Sequence, residues 1–161
     1  MSGDSTSLMP NYVPSGYKTV NLYLCVKDAH KALDFYNRAF GAEVIMKLEN
    51  PQGIIEHAEM KISDTIIMLS EENPAYSKSP TTLGGTSVLI MLYCGDVDEV
   101  FQDAVKAGCE VVFPVKNQFY GDKAGRVQDP FGHQWILATH KENFTASEIQ
   151  KRYSDLSTNP Q

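Results

Sequence analysis

The sequence predicts an α+β domain that contains two copies of one β-α-β-β-β unit. Two observations lead to this prediction. The order of strand-like and helix-like segments in the first half of the chain recurs in the second half. The helix boundaries also match: Asp28 corresponds to Asp96, and GAEV at 41–44 corresponds to GCEV at 108–111 with a one-residue slip. A repeat of this length indicates one supersecondary unit used twice.

Residues 17–72 form the first predicted unit, module one. Thr19 to Val26 is rich in β-branched and aromatic residues and predicts the first strand. Asp28 is a favourable N-cap and Gly41 a favourable stop for the helix between them. The apolar face of this helix has helical spacing and consists of Ala29, Ala32, Leu33, Tyr36, Ala39 and Phe40. Three further strands are predicted at Glu43 to Leu48, Ile54 to Ile62 and Thr65 to Leu69.

Residues 86–141 form module two and repeat this order. Ser87 to Tyr93 predicts its first strand. Asp96, with Glu99 three residues later, predicts a capping box at the start of a helix that ends at Gly108. The remaining strands are predicted at Glu110 to Phe113, Gly125 to Gln128 and Gln134 to Thr139. The sequence DPFG at 129–132 favours a type I turn between the last two.

The two modules together form one predicted domain, 17–141, and the segments around them have the composition of a linker and tails. Residues 73–85 contain Pro74, Pro80 and two consecutive glycines, which favour a linker. Residues 1–16 are expected to form a flexible tail. In the final segment, 142–161, a capping box from Thr145 to Glu148 predicts a short helix that ends near Tyr153.

Composition and charge exclude several classes of protein. The chain of 161 residues has a formal net charge of −6 and an isoelectric point near 5.1, without a basic stripe. We therefore expect no nucleic-acid partner. No apolar run approaches the roughly 20 residues of a membrane span, so we expect no membrane partner. Cys25, Cys94 and Cys109 form no CxxC pair, which favours a reducing, cytoplasmic location.

Several short motifs carry a resemblance to a known family. They are VKD at 26–28, LDFY at 33–36, FGAE at 40–43, and DPFG at 129–132 followed by Trp135. In this order and spacing they resemble the glyoxalase/bleomycin-resistance superfamily, whose members are also called vicinal-oxygen-chelate proteins. HAE at 57–59 and YGDKAGR at 120–126 are similar to its PhnB-like branch. The resemblance extends from about Tyr17 to Tyr153.

The resemblance implies a fold and a site. The two sheets would curl into a cup around a small molecule, with the helices on the outer face. Active relatives hold a divalent metal in the cup, and the matching positions here are Asn21, Met68, Leu89 and Leu137. One amide oxygen and three apolar side chains do not suit a divalent cation. We therefore expect no metal at these positions, and no cofactor.

His57 and Glu59 are the candidate catalytic residues. They alternate with apolar residues that suit the helix-facing side of a strand, so both should point into the cup. A histidine and a carboxylate two residues apart suit a general base with its orienting partner, or two ligands of a relocated metal site. The alternative is a strand edge with a surface ion pair between Glu59 and Lys61 or Arg126.

Tyr120, Arg126 and Gln128 are candidates for a wall that binds an anion. An arginine in a cup is a natural partner for a carboxylate or a phosphate. A salt bridge from Arg126 to Glu59 or Asp122 is equally compatible with the sequence.

Strand alternation provides the other ligand-binding candidates. Aromatic and sulfur-containing side chains with a few polar groups are typical of a small-molecule pocket, although a packed barrel interior has the same composition. These candidates are Asn21, Tyr23, Leu89, Met91 and Tyr93, and the resemblance to the family adds Met68 and Trp135. The other three histidines, His30, His133 and His140, are expected in solvated positions without a role.

Two functions remain open on the sequence alone. The first, which we favour, is a protein that sequesters a small aromatic or anionic compound and lacks the family metal ligands. The second is a metal-independent or relocated-metal enzyme, of lyase, isomerase or dioxygenase type, that uses His57 and Glu59. A purely structural role has no partner motif to support it.

Two structural expectations accompany these functions. A homodimer is predicted because each module leaves a long strand edge, and such edges are normally covered or paired. His57, Glu59, Tyr120 and Arg126 are expected to converge on one cavity, either within one chain or across the dimer.

Overall fold

The structure, a computed structural model, describes residues 12–158. Module one consists of β1 (Leu22–Val26), α1 (Ala29–Phe40), β2 (Glu43–Glu49), β3 (Ile55–Ile62) and β4 (Thr65–Glu71). A linker that contains the short helix α2 (Pro80–Leu83) leads to module two. Module two consists of β5 (Leu89–Tyr93), α3 (Val97–Ala107), β6 (Glu110–Asn117), β7 (Asp122–Gln128) and β8 (Gln134–His140), and α4 (Ala146–Thr158) follows it. The α+β class and the repeated unit are confirmed.

Each module forms its own four-stranded mixed sheet, and the two sheets have the same topology. Their strand orders are β1-β4-β3-β2 and β5-β8-β7-β6. The first and last strands of each module pair in parallel, and the other pairs are antiparallel. Because β6 is an edge strand, it tolerates Pro114 and continues to Asn117, four residues beyond its predicted end at Phe113.

The main helices begin and end at the residues that the sequence indicated. The Asp28 carboxylate accepts a hydrogen bond from the backbone N–H of Lys31, and the Asp96 carboxylate accepts one from that of Glu99. An N-cap of this kind contributes about 1 kcal/mol. Gly41 ends α1 with a φ of 65°, a left-handed conformation that glycine adopts without strain.

A buried layer of helices and aromatic rings joins the two modules. α1 packs on β3 and β4, α3 packs on β6, β7 and β8, and the two helices pack against each other. The buried Asp129 carboxylate accepts hydrogen bonds from the Tyr36 hydroxyl at 2.7 Å and from the Trp135 indole N–H at 2.9 Å. Phe40 packs on the Trp135 ring, a contact of the kind that contributes about 0.5–1.5 kcal/mol beyond burial. Because Tyr36 belongs to module one and Asp129 to module two, this cluster fixes the relative position of the modules.

The sheet face turned away from the helices is exposed in each module, and we call it the open face. Tyr23 and Leu48, on the open face of module one, are 49% and 55% exposed. Tyr93 and Phe113, on that of module two, are 59% and 55% exposed. Because both open faces are exposed, they do not close on each other, and the cup expected between the sheets is not formed within residues 12–158.

The segments around the modules differ in part from the prediction. The predicted flexible tail, 1–16, lies outside the described residues except for 12–16, where the carbonyl of Pro14 accepts from the backbone N–H of Tyr17 in a turn. At the other end, Thr145 and Glu148 exchange hydrogen bonds between side chain and backbone, so the predicted capping box is formed. α4 then continues to Thr158. Between residues 12 and 158, no helix is long and apolar enough to cross a membrane.

Candidate functional site

Strand register places one row of side chains across the open face of module one. Tyr23 on β1 pairs with Met68 on β4, Met68 pairs with Glu59 on β3, and Glu59 pairs with Met46 on β2. Alternate residues on β1, β3 and β4 are buried on the helix side of the sheet, namely Leu24, Ala58, Met60, Ile67 and Leu69. His57 and Glu59 therefore lie on the open face, away from the helices.

A chain of four hydrogen-bonded side chains crosses this face. The Tyr23 hydroxyl lies 3.0 Å from His57 Nδ1, and His57 Nε2 lies 3.2 Å from Glu59 Oε1. The Tyr17 hydroxyl, from the segment before β1, donates to the Glu59 carboxylate. An ionised carboxylate only accepts, so His57 Nε2 carries a proton, and in the neutral ring Nδ1 accepts the proton of the Tyr23 hydroxyl. Neither Lys61 nor Arg126 pairs with Glu59 in the described part of the chain.

These hydrogen bonds determine the charge state of the carboxylate. The hydrogen bond from Tyr17, and after it that from His57, lowers the pKa of Glu59, and the same bond raises the pKa of Tyr17. Glu59 is therefore held ionised as the acceptor that orients the imidazole. The side chains of His57 and Glu59 are 23% and 15% exposed, so both are shielded but reachable from the open face. A neutral imidazole oriented by a carboxylate has the chemistry of a general base.

The matching row of module two has different chemistry. Register aligns Met91, Ile136, Arg126 and Phe113 across β5, β8, β7 and β6. Arg126 thus occupies the position that Glu59 has in module one, and its guanidinium carbon lies 5.2 Å from the centre of the Phe113 ring. A cavity of about 270 Å³ opens at this point, and the side chains around it include Phe113, Lys116, Gln118, Tyr120, Arg126 and Ile136. Two predicted ligand-binding residues, Tyr120 and Arg126, therefore lie together.

The four residues expected to converge lie in two separate places. His57 and Glu59 belong to the open face of module one, whereas Tyr120 and Arg126 line the cavity of module two. The cavity that Tyr120 and Arg126 line includes neither His57 nor Glu59 among its lining residues. Their convergence does not occur in a single chain, and convergence across a dimer stays a prediction.

Sequence reasoning missed a polar cluster at the end of module two. The Asp122 carboxylate, 4% exposed, accepts from the Tyr93 hydroxyl at 2.9 Å and lies 2.7 Å from His140 Nδ1. His140, which we expected in a solvated position without a role, also lies 2.9 Å from Asn143 Oδ1 through its Nε2. The hydrogen bonds to Asn143 and then to Asp122 raise the pKa of His140. The pairing of β5 and of β7 with β8 brings these residues together, so no sequence spacing indicates the cluster.

Two predicted site residues lie on the helix side of their strand. Trp135 and Leu137 are fully buried, and the Trp135 indole bonds to Asp129 in the core. Ile136 lies between them on the open face and pairs with Met91, as Met68 pairs with Tyr23. The position that matches Met68 is therefore Ile136. The placement at Leu137 was wrong by one residue, and such a shift reverses the face of the sheet.

The remaining predicted lining residues lie at the ends of strands. Asn21 precedes β1, and its side chain bonds to the backbone N–H and carbonyl of Lys18. Leu89 begins β5 and is exposed, whereas Gln128 ends β7 and accepts from the Gln134 amide at 3.2 Å. These positions line the rim of the open faces rather than their centre.

The side chains at the positions implied for a metal do not fit a divalent cation. The Asn21 amide oxygen accepts from the backbone of Lys18, Met68 offers a thioether, and Leu89 and Ile136 offer no donor atom. Among the described residues, no group of three or more His, Cys, Asp or Glu side chains is placed to hold a metal ion. We therefore assign no metal to these positions.

Comparison with known proteins gives the family. Residues 17–137 match the sequence profile of the Glyoxalase/Bleomycin resistance protein/Dioxygenase superfamily. The chain is 40% identical over 136 residues to Rv0887c of Mycobacterium tuberculosis, which covers 82% of this chain and 80% of that protein. The solved structure of TioX from Micromonospora sp. ML1 is similar with a TM-score of 0.60 and 26% identity, over 80% of this chain and 100% of TioX. A PhnB protein from Bacillus cereus shares the fold with a TM-score of 0.60 and 18% identity, over 76% of this chain and 99% of that chain. The chain belongs to the glyoxalase/bleomycin-resistance/dioxygenase superfamily, as its motifs indicated.

Proposed function

We propose that this chain is a small-molecule-binding protein, with its ligand held between the open face of module one and that of module two in a second copy. The observation that carries the proposal is the exposure of two apolar faces that contain only a few polar groups. Small-molecule sites have this composition. Exposed apolar patches of this kind mark interaction surfaces, because a monomer rarely leaves them in water.

The exposure and the charge of the two open faces determine which face of a second molecule can cover each of them. Because both open faces are exposed in a single chain, a second molecule has to cover each of them. Glu59 places a negative charge at the centre of one face, and Arg126 places a positive charge at the matching point of the other. Pairing module one with the partner's module two brings opposite charges together, whereas pairing like with like is repulsive. A two-fold dimer of this kind forms two equivalent sites.

The ligand in this proposal is a small aromatic or anionic compound that the protein sequesters without the family metal. Aromatic rings and thioethers, such as those of Tyr23, Phe113 and Met68, supply apolar contact. A cytoplasmic location is part of the same proposal, supported by Cys25, Cys94 and Cys109, which are all free thiols in the structure.

Sedimentation at micromolar concentration tests the dimer. We expect the wild type to sediment as a dimer and Leu48→Lys as a monomer, because a lysine at the covered face is desolvated without a partner. Leu83→Lys is the matched control, since Leu83 is an exposed leucine on α2, away from both open faces. A monomeric wild type, or a control that dissociates as readily as Leu48→Lys, would overturn the proposal.

A second candidate function is acid–base catalysis at His57 and Glu59. The observation that favours it is the Tyr23–His57–Glu59–Tyr17 chain, which fixes the imidazole and exposes one side of it to a ligand. In this role the Tyr23 hydroxyl leaves Nδ1 to donate to the developing negative charge, His57 takes the substrate proton on the freed Nδ1, and Glu59 orients the ring through Nε2.

Proton exchange measures this activity without knowledge of the natural substrate. Phenylpyruvate has an acidic C–H bond beside a carbonyl, and NMR in heavy water follows the loss of that proton. Catalysis predicts faster exchange with the wild type than with buffer, and a return to the buffer rate in His57→Gln. Equal rates for wild type and His57→Gln would leave binding as the function. Elemental analysis of the purified protein separates the relocated-metal form of this activity from the metal-independent form.

A further inference from the structure

We infer that the cavity of module two binds the carboxylate of a small planar acid, with Arg126 as its principal partner. This inference rests on the proposed function and specifies the class of its ligand. It depends on three observations, which are the unpaired donors in the cavity, the support of the guanidinium by a ring, and the size of the space.

The first observation is an excess of donors. Arg126 is half-buried, and its guanidinium forms no hydrogen bond or ion pair with any residue from 12 to 158. The Lys116 ammonium and the Tyr120 hydroxyl, which line the same cavity, also lack an acceptor within that range. Arg126 and Tyr120 are half-buried donors without acceptors, which is unfavourable, and the exposed Lys116 adds a positive charge beside them, so this cavity is complementary to an anion.

The two carboxylates that could neutralise Arg126 are already engaged. Asp122 accepts from Tyr93 and pairs with His140 at the far end of β7. Glu59 belongs to the other module, where Tyr17 and His57 occupy it. In a chain with 20 acidic and 14 basic residues, a guanidinium left without a carboxylate is therefore a feature of this cavity rather than of overall composition.

The second observation is the orientation of the guanidinium. It lies over the Phe113 ring, and this cation–π contact fixes one face of the planar group. The N–H groups at the edge of the guanidinium remain available to a ligand, and they match the two oxygens of a carboxylate in a bidentate geometry. Lys116 adds a second positive charge beside it.

The third observation is the shape and lining of the space. A volume of about 270 Å³ is near the lower limit of known ligand sites, so it suits a compound with about one ring. Ile136 and the Phe113 ring provide apolar contact, and Ala124 provides little bulk, so there is room for a flat group beside the cationic edge. An apolar ring with one carboxylate satisfies both halves of this lining.

Calorimetric titration of the full chain tests the ligand class with benzoate and its neutral isostere benzamide. We expect benzoate to bind about tenfold more tightly than benzamide or better, since a charge-assisted bidentate pair is the difference between them. Arg126→Gln should remove that preference, and Lys116→Gln should reduce it less. Arg152→Gln is the matched control, because Arg152 also lies over an aromatic ring, that of Phe144, but on the exposed α4. Phenylphosphonate tests whether the site prefers a phosphate-like group.

Other results of these titrations would overturn the carboxylate assignment or the proposed function. The carboxylate assignment is overturned by equal affinity for benzoate and benzamide, by no binding of benzoate at millimolar concentration, or by tighter binding of phenylphosphonate. An Arg126→Gln variant that keeps the preference for benzoate over benzamide also overturns it. In each of these cases, a wild type that is dimeric keeps the proposed function. Loss of both the dimer and all aromatic binding rejects the proposed function itself. Thermal melts confirm that each variant is folded.

Discussion

The open faces of the two modules come from one repeated unit, but their central side chains have opposite character. Module one has Glu59, held by Tyr17 and His57, where module two has Arg126 on the ring of Phe113. The helix-facing sides have diverged less. Leu24 and Leu69 of module one correspond to Leu92 and Leu137 of module two, and all four pack toward the helices. The buried side of this unit therefore preserves the fold, whereas the open side is free to change its chemistry.

The turns that precede the last strands show the same contrast. Module one uses the short turn at 63–64, which lies on the surface. Module two uses the longer turn at 129–133, and there the Asp129 carboxylate also accepts from the backbone N–H groups of Phe131 and His133. The longer turn therefore places an acceptor between the modules, and the short turn has no such function.

The largest expected effect tests this difference between the turns. Asp129→Ala should lower the free energy of unfolding by about 3 kcal/mol or more, because the buried Tyr36 hydroxyl and Trp135 indole N–H lose their acceptor. Asp64→Ala, in the exposed turn of module one, should change it by less than about 0.5 kcal/mol. Chemical denaturation measures both. Similar values for the two variants would show that the turns are equivalent after all.

The next prediction concerns the opposite charges of the open faces. Glu59→Arg makes both central positions positive, so the dissociation constant of the dimer should rise about tenfold or more. Asp103→Arg, on the surface of α3, makes the same change in charge away from both faces and should leave the constant within about twofold. Sedimentation equilibrium provides the measurement. A dimer unaffected by Glu59→Arg would contradict the pairing of module one with module two.

A smaller effect distinguishes two tyrosines, one on each open face. Tyr93→Phe removes one of the hydrogen bonds to the buried Asp122 and should cost about 1–2 kcal/mol of stability. Tyr23→Phe removes the hydrogen bond to His57, whose side chain water can reach, so it should cost about 0.5 kcal/mol of stability or less. Denaturant melts of the two variants give the difference. If Tyr23→Phe costs more, then module one depends on its polar chain more than its exposure indicates.

The smallest expected effect is a difference in response to pH. The pKa of Glu59 is lowered by folding, mainly by Tyr17, so its stabilisation is complete above its ordinary value of 4.5 and is lost as the pH falls through the lowered one. The pKa of His140 is raised, by Asn143 and then Asp122, so its stabilisation is complete below 6.5 and is lost as the pH rises through the raised value. The acidic slope of melting temperature against pH should therefore be reduced in Glu59→Gln, and the alkaline slope should be reduced in His140→Gln. Identical profiles for the two variants would contradict the assignment.

The local signals in the sequence were sufficient for the repeated unit and for the sides of most strands. Helix caps at Asp28 and Asp96, and the alternation around His57, depend on neighbouring residues alone, and the structure agrees with each of them. Leu137 shows the limit of this reasoning. A position found by counting residues from a motif can be wrong by one, and a shift of one residue moves the side chain to the other face of the sheet.

Other features depend on contacts between distant parts of the chain. The docking of the two modules depends on the packing of α1 on α3 and on the Tyr36–Asp129 bond, and neither has a local signature. Tyr17 reaches Glu59 from a segment that precedes β1, and His140 reaches Asp122 only through strand pairing. Periodicity gives the direction of a side chain, but it does not give the partner that the side chain meets.

The hydrogen bond between Tyr36 and Asp129 also has a consequence for the order of folding. It joins residues 93 positions apart, whereas the parallel pairing of Leu22 with Ile67 closes a loop about half as long. Loop closure costs more entropy as the loop lengthens, and distant contacts slow the search for the native state. Each module can therefore assemble before the two are docked, and docking becomes the late step. During that interval the open face of each module and the docking side of its helix are both in water, so a slowly docking chain is exposed to aggregation.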